Sequence, residues 1–203
     1  MAYPTVAGPY GFQPINLIGG QVFAGATRQI PIVSGSGTSI YYGDVVRLNT
    51  DGTLSRVSTT DSATDAVGIF LGCAFTNPTT KQFLQQQYYP AGTVASDIVA
   101  YVCDDPDTYF KVAVLSSSTA VGGLTQTDIG NNVAFYATAG STTTGDSKEG
   151  VYSSTGSTTT LPFRVIAGVP ETVNASGSFT EVIVKFNFGV HTYYSAAAVA
   201  TAA

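Results

Sequence analysis

The chain has little charge. Asp, Glu, Lys and Arg make up 10 % of its 203 residues, against about a quarter in an ordinary soluble domain. The eight basic residues are scattered and the net charge is −5, so the clustered Lys and Arg that hold a nucleic-acid backbone are missing. There is one histidine, His191, near the C-terminus in GVHTYY. A serine or cysteine nucleophile normally works through a histidine base with a carboxylate behind it, and no GxSxG elbow occurs. One histidine and two cysteines do not supply the four ligands of a structural zinc site. Neither a GxxxxGK phosphate loop nor a GxGxxG turn occurs. No apolar run approaches the roughly 20 residues of a membrane-spanning helix. The opening MAYPTVAGPYGF has neither the basic nor the apolar region of a secretory signal. The expectation is a protein with no enzymatic activity, no cofactor, no metal, no nucleic acid and no membrane partner.

What the chain does have is apolar residues, at 44 %, together with abundant Gly, Ser and Thr. That fraction is enough to build a core and excludes a disordered spacer. From residue 28 onward, short β-type runs alternate with turn chemistry, and the candidate strands are 28–33, 44–48, 53–57, 66–75, 98–103, 109–114, 133–138, 162–169 and 179–188. The last alternates by twos, with Val182, Val184, Phe186 and Phe188 on one face. Asn49-Thr50-Asp51-Gly52 reads as a hairpin turn. Only 79–88 has room for a short helix, and no segment is long enough to cover a parallel sheet. An all-β fold follows, an antiparallel barrel or sandwich.

Residues 1–27 are rich in proline, glycine and spaced aromatics without a periodic pattern. They read as an extended N-terminal arm lying on another subunit, through Tyr3, Tyr10, Phe12, Ile15, Leu17 and Phe23. Residues 28–190 form the β-rich domain, with room for two subdomains breaking near 115–130, and 191–203 form an alanine-rich tail. Gly-Ser-Thr-Thr-Thr occurs at 140 and again at 156, in a stretch that reads as an exposed loop or a polar hairpin edge. Cys73 and Cys103 sit in strand interiors and read as small buried hydrophobes in a reducing cytosol, with a cross-strand disulfide as the alternative.

One stretch concentrates acid: CDDPDTYF, with Asp104, Asp105 and Asp107. An EF-hand loop needs alternating acids with glycine at the sixth position, which this stretch lacks. Proline after Asp105 suits the second position of a type I turn, and aspartate suits the first. The acids therefore read as a corner between strands.

Tyr42-Gly43-Asp44-Val45-Val46-Arg47-Leu48, then Asp51-Gly52-Thr53-Leu54, then Ala66-Val67-Gly68-Ile69-Phe70 resembles the small β-domain of tailed-bacteriophage head-decoration proteins. GFQPINLIGGQVFAGATRQIPI, the DDPDTYFKV corner and GSTTTGDSKEGVYSS before LPFRVIAGV extend the likeness to that capsid cement family over most of the chain. Residues 77–95 and the alanine-rich tail have no counterpart in it. The resemblance implies a β-tulip-like decoration domain on the outer face of an icosahedral head. It implies a homotrimer made in the bacterial cytoplasm, with the major capsid protein as partner and a mechanical function as virion cement. The alternative from a different class is a phage tail or fibre module that binds host glycans through aromatic platforms.

Overall fold

The computed structural model describes residues 8–17, 20–58 and 66–187. Twelve strands and two short 3-10 turns, Gln126–Asp128 and Pro170–Thr172, are the regular elements among them. The all-β expectation holds. The strands are β1 (Gln13–Leu17), β2 (Arg28–Pro31), β3 (Val45–Leu48), β4 (Leu54–Arg56), β5 (Ala66–Thr76) and β6 (Phe83–Gln86). They continue with β7 (Val99–Cys103), β8 (Thr108–Leu115), β9 (Asn132–Tyr136), β10 (Gly150–Gly156), β11 (Phe163–Gly168) and β12 (Glu181–Phe186).

They form two sheets. In the first, β8, β10, β9, β11 and β12 pair in that order and β12 returns to β8, which closes a five-stranded barrel. β8 and β10 run parallel, through Val151–Val114 and Tyr152–Leu115, and the long connection through β9 allows it. β1 pairs antiparallel with the first half of β8. The second sheet runs β2-β7-β5-β3-β4, with β6 added to β5. It curls until Ile32, just past β2, bridges Leu54 on β4. Closure removes the free backbone edges of the five barrel strands, while the second sheet stays open beyond that single bridge.

Each sheet encloses a core. Phe110, Val112 and Val114 of β8 face Phe135, Phe163, Val165 and Val184 inside the first barrel. Ile30, Phe70, Tyr89 and Val102 fill the second. β5 serves both: Val67, Phe70, Cys73 and Phe75 point into the second core, while Ala66 and Ile69 join Val45 and Cys103 against the first. Burial on both faces explains its nearly unbroken apolar run. Asn49 to Gly52 makes the expected hairpin turn, with Gly52 N–H donating to Asn49 O and Gly52 at φ 80°.

Several expectations are corrected. The chain passes between sheets at residues 104–107, not near 115–130, because β7 ends one sheet and β8 begins the other. Residues 83–86, inside the helix candidate, are a strand paired with Thr76–Cys73. The second half of the Ser/Thr/Gly stretch supplies β10, a strand inside the closed barrel, where a loop or hairpin edge was expected.

The arm reading is corrected where it is described. Phe12 is fully buried in this chain's own core, its ring stacked on Phe163 at 4.5 Å and edge-on to Phe135 at 6.1 Å. Gln13–Leu17 is a strand of the first sheet, so no boundary at residue 27 separates an arm from the fold. An unpatterned aromatic segment needs burial, and here its own barrel provides it. Truncating Phe12 removes a core ring and leaves a void, so Phe12→Ala is expected to lower stability by about 3–5 kcal/mol in urea unfolding. A change under about 1 kcal/mol would restore the arm as a separable element.

Candidate functional site

The acid corner is a turn. Thr108 N–H donates to Asp105 O at 3.2 Å and Asp107 N–H to Asp105 Oδ1 at 2.8 Å, which puts Pro106 at the second position as expected. Asp104 pairs with Arg28 at 3.1 Å and Asp107 with Lys185 at 3.1 Å. The three carboxylates are thus spent on the turn and on two different cations, and among the described residues no cluster of His, Cys, Asp and Glu is arranged to hold a metal.

Of the proposed interface residues, Tyr10 and Phe12 turn inward. The Tyr10 hydroxyl donates to Glu181 Oε1, with Lys111 Nζ 3.4 Å from the same oxygen and 5.6 Å from the Tyr10 ring centre. Burial, then the Glu181 carboxylate, raises the Tyr10 hydroxyl well above its ordinary pKa. Ile15 is half-buried on β1, and Phe23 is half-buried against the first core. Leu17 takes part through its backbone, paired with Thr108. Tyr3, His191 and the 191–203 tail lie outside the described residues. Cys73 and Cys103 are buried free thiols, pushed up by burial to about 12 and about 11, so both behave as apolar packing groups and the disulfide alternative falls.

The densest polar chemistry lies in the seam between the closed barrel and the curled second sheet. Asp44 stands just before β3, Arg56 ends β4, and Glu149 stands just before β10 in the other sheet. Both acids are fully buried. Arg56 Nη2 is 2.9 Å from Glu149 Oε1 and also donates to Thr138 O. Its Nε stands 2.9 Å from Asp44 Oδ2, but the N–H is not aimed along that line. Backbone groups complete the cluster: Tyr41 N–H donates to Asp44 Oδ2 and Val45 N–H to Glu149 Oε2, each at 2.8 Å. Asp44 Oδ1 has no hydrogen-bond partner.

Two carboxylates thus share one guanidinium in a buried seam, so ionising both would leave one negative charge uncompensated. Desolvation raises both acids, Asp44 to about 6 and Glu149 well above its ordinary value, against the lowering pull of Arg56. The geometry joins β4 to the segment before β10 and is that of a clamp. The sequence pattern singles out Gly43-Asp44 only as a strand start, and leaves Arg56 and Glu149 without a role.

An open concavity of about 770 Å³ lies where β5, β6 and β7 meet and is lined by Tyr42, Tyr101 and the run Gln85-Gln86-Gln87 among others. The glutamine run carries no pattern that marks it in the sequence. No protein-family model, no curated protein and no solved structure matches the chain.

Two measurements check this account. A carboxyl whose pKa is raised on folding holds its proton more tightly in the native state, so stability falls as pH rises through the interval between its unfolded and folded values. For Asp44, and in the same direction for Glu149, unfolding free energy should therefore drop by about 2 kcal/mol between pH 5 and pH 7.5. Asp51, Asp97 and Asp128 shift the other way, and their loss begins below that window. Asp44→Asn keeps the shape and removes one of the two raised acids, so its profile should be flatter. An equal slope in both proteins would refute the clamp's ionisation. Asp107→Asn should change stability by less than about 1 kcal/mol; specific divalent-cation binding, lost in that variant, would overturn the turn reading.

Proposed function

We propose that the chain is a structural protein that decorates and cements the outer surface of a tailed-bacteriophage head. The observation that carries this is the ordered set GDVV, Asp51-Gly52 and AVGIF, which folds as the β3–β4–β5 meander and resembles the decoration family in order and spacing. Two further features support it. The low charge and net acidity suit a surface that faces away from packaged DNA and acts by burying area. The exposed apolar side chains Val22, Phe83 and Val94 offer contact area of the kind a capsid partner covers.

In this reading the protein works as a homotrimer whose partner is the major capsid protein. Three linked weak contacts bind far more tightly than one, by about 10²-fold or more without any new contact type. Binding the assembled shell but not free subunits shifts the equilibrium toward the shell, by about 2.7 kcal/mol per site at a hundredfold excess over Kd. Heads carrying the protein should therefore release their DNA at a higher temperature, and resist stronger osmotic shock, than heads lacking it. Equal release temperatures for decorated and stripped heads would end the cement reading.

A further inference from the structure

The groove between β5, β6 and β7 belongs neither to the barrel cores nor to the seam clamp. Its floor exists because β5 bulges: the register against β7 shifts between Phe70 and Gly72, and Gly72 takes φ +140° opposite Tyr101. A Cβ on Gly72 would stand 3.0 Å from Gln86 O, so only glycine lets β5 approach β6 this closely and keeps the floor clear. Tyr101 alternates with Ala100 and Val102, which are buried in the second core, so its ring stands on the opposite face of β7.

Tyr42 is the second phenol, and burial followed by the Asp146 carboxylate raises it above its ordinary pKa, so it remains a neutral donor. Gln85 and Gln87 are exposed, Gln86 is half-buried, and the Oε1 of Gln86 is withdrawn without a hydrogen-bond partner. Gln87 Nε2 donates to Asp146 Oδ1 at 2.5 Å, which orients that amide from behind. No Lys, Arg, Asp or Glu lines the groove itself.

That lining selects a class of ligand. Without a cation there is nothing to hold a phosphate, sulfate or carboxylate, and the carboxylate that borders the lining, Asp146, is engaged by Gln87. An amide offers donors and an acceptor on one planar group, and Gln85 and Gln87, two residues apart and so on the same side of the β6 edge, present two such groups to sugar hydroxyls. A phenol ring offers an apolar face with a polar tip, which fits the C–H face of a pyranose whose rim is hydroxyl. An open groove of about 770 Å³ has room for several sugar rings.

We propose that this groove is a binding site for neutral oligosaccharides, with Tyr101 and Tyr42 as stacking surfaces and Gln85 and Gln87 as the hydroxyl-reading groups. The assignment is independent of the capsid reading, and it fits a head-surface protein as readily as a fibre module.

The full chain is applied to a glycan array holding neutral, sialylated and sulfated oligosaccharides, and hits are titrated by calorimetry. Binding confined to neutral glycans is expected, with Tyr101→Ala and Gln85→Ala each weakening it at least tenfold while the thermal unfolding midpoint stays within 2–3 °C of wild type. Where Tyr101→Ala lowers the midpoint further, Tyr101→Phe serves in its place: it keeps the ring and should retain binding to within about fivefold, whereas Gln85→Ala should not. Binding to no neutral glycan, binding only to acidic glycans, or binding that survives Gln85→Ala would each overturn the assignment. Because no capsid is present, failure here leaves the cement reading to its own test.

Discussion

The arrangement depends on one ionic contact, the Arg56 guanidinium held between Asp44 and Glu149. Arg56 and Asp44 come from the curled sheet and Glu149 from the closed barrel, so the contact joins two bodies that each have a core of their own. Moving such ions out of water costs several kcal/mol apiece, and their attraction offsets this only when geometry and additional hydrogen bonds are good. Both conditions shape the surroundings. Tyr41 and Val45 aim backbone N–H groups at the two carboxylates, and the Thr138 carbonyl takes a guanidinium hydrogen. Close by, Gly11 N–H donates to Glu149 O and Phe12 N–H to Gly43 O, so the segment leading into β1 lies across the same seam.

The topology explains why such a clamp is needed. The first sheet takes β1 from the start of the chain and β8 to β12 from its second half, and the curled sheet, β2 to β7, is inserted between them. An inserted unit has to begin and end side by side. β2 and β7 are neighbours, Arg28 lies opposite Val102, and Arg28 pairs with Asp104 where the chain leaves the unit. The acid-rich corner is the crossing point itself: Asp104 fastens the end of the insert to its beginning, and Asp107 reaches Lys185 on β12. Its concentration of carboxylates has a mechanical explanation.

Much of this was legible in the sequence. Nine strands, the Asn49–Gly52 hairpin and the Asp105-Pro106 turn follow from alternation and turn residues, because those signals are local. What the sequence hid shares a different physics. β1 contains Pro14, which breaks the pattern and sits beside a register shift against β8, the kind of irregular edge position that proline tolerates. β6 and β10 carry Gln, Ser and Thr, and they are strands because of the partners beside them; their own propensity does not call for it. Phe12 has no local partner, so its burial was visible as a need but not as a destination. The clamp joins residues 44, 56 and 149, and no spacing rule links positions that only a fold brings together.

A seam lined by apolar groups alone would hold the two bodies together without fixing their relative position, since the hydrophobic effect has no direction. The clamp adds direction. Each carboxylate has a defined backbone donor, and sliding one body along the other would leave Glu149 buried without Arg56 and Val45. Breaking a buried pair in this way is far more costly than never having formed it. Burial of the two acids lowers stability as pH rises toward neutrality, and that loss is the counterpart of a single well-defined seam. For a molecule whose proposed work is to hold neighbouring subunits at fixed spacing under internal pressure, a body that does not shear is worth more than the last increments of stability.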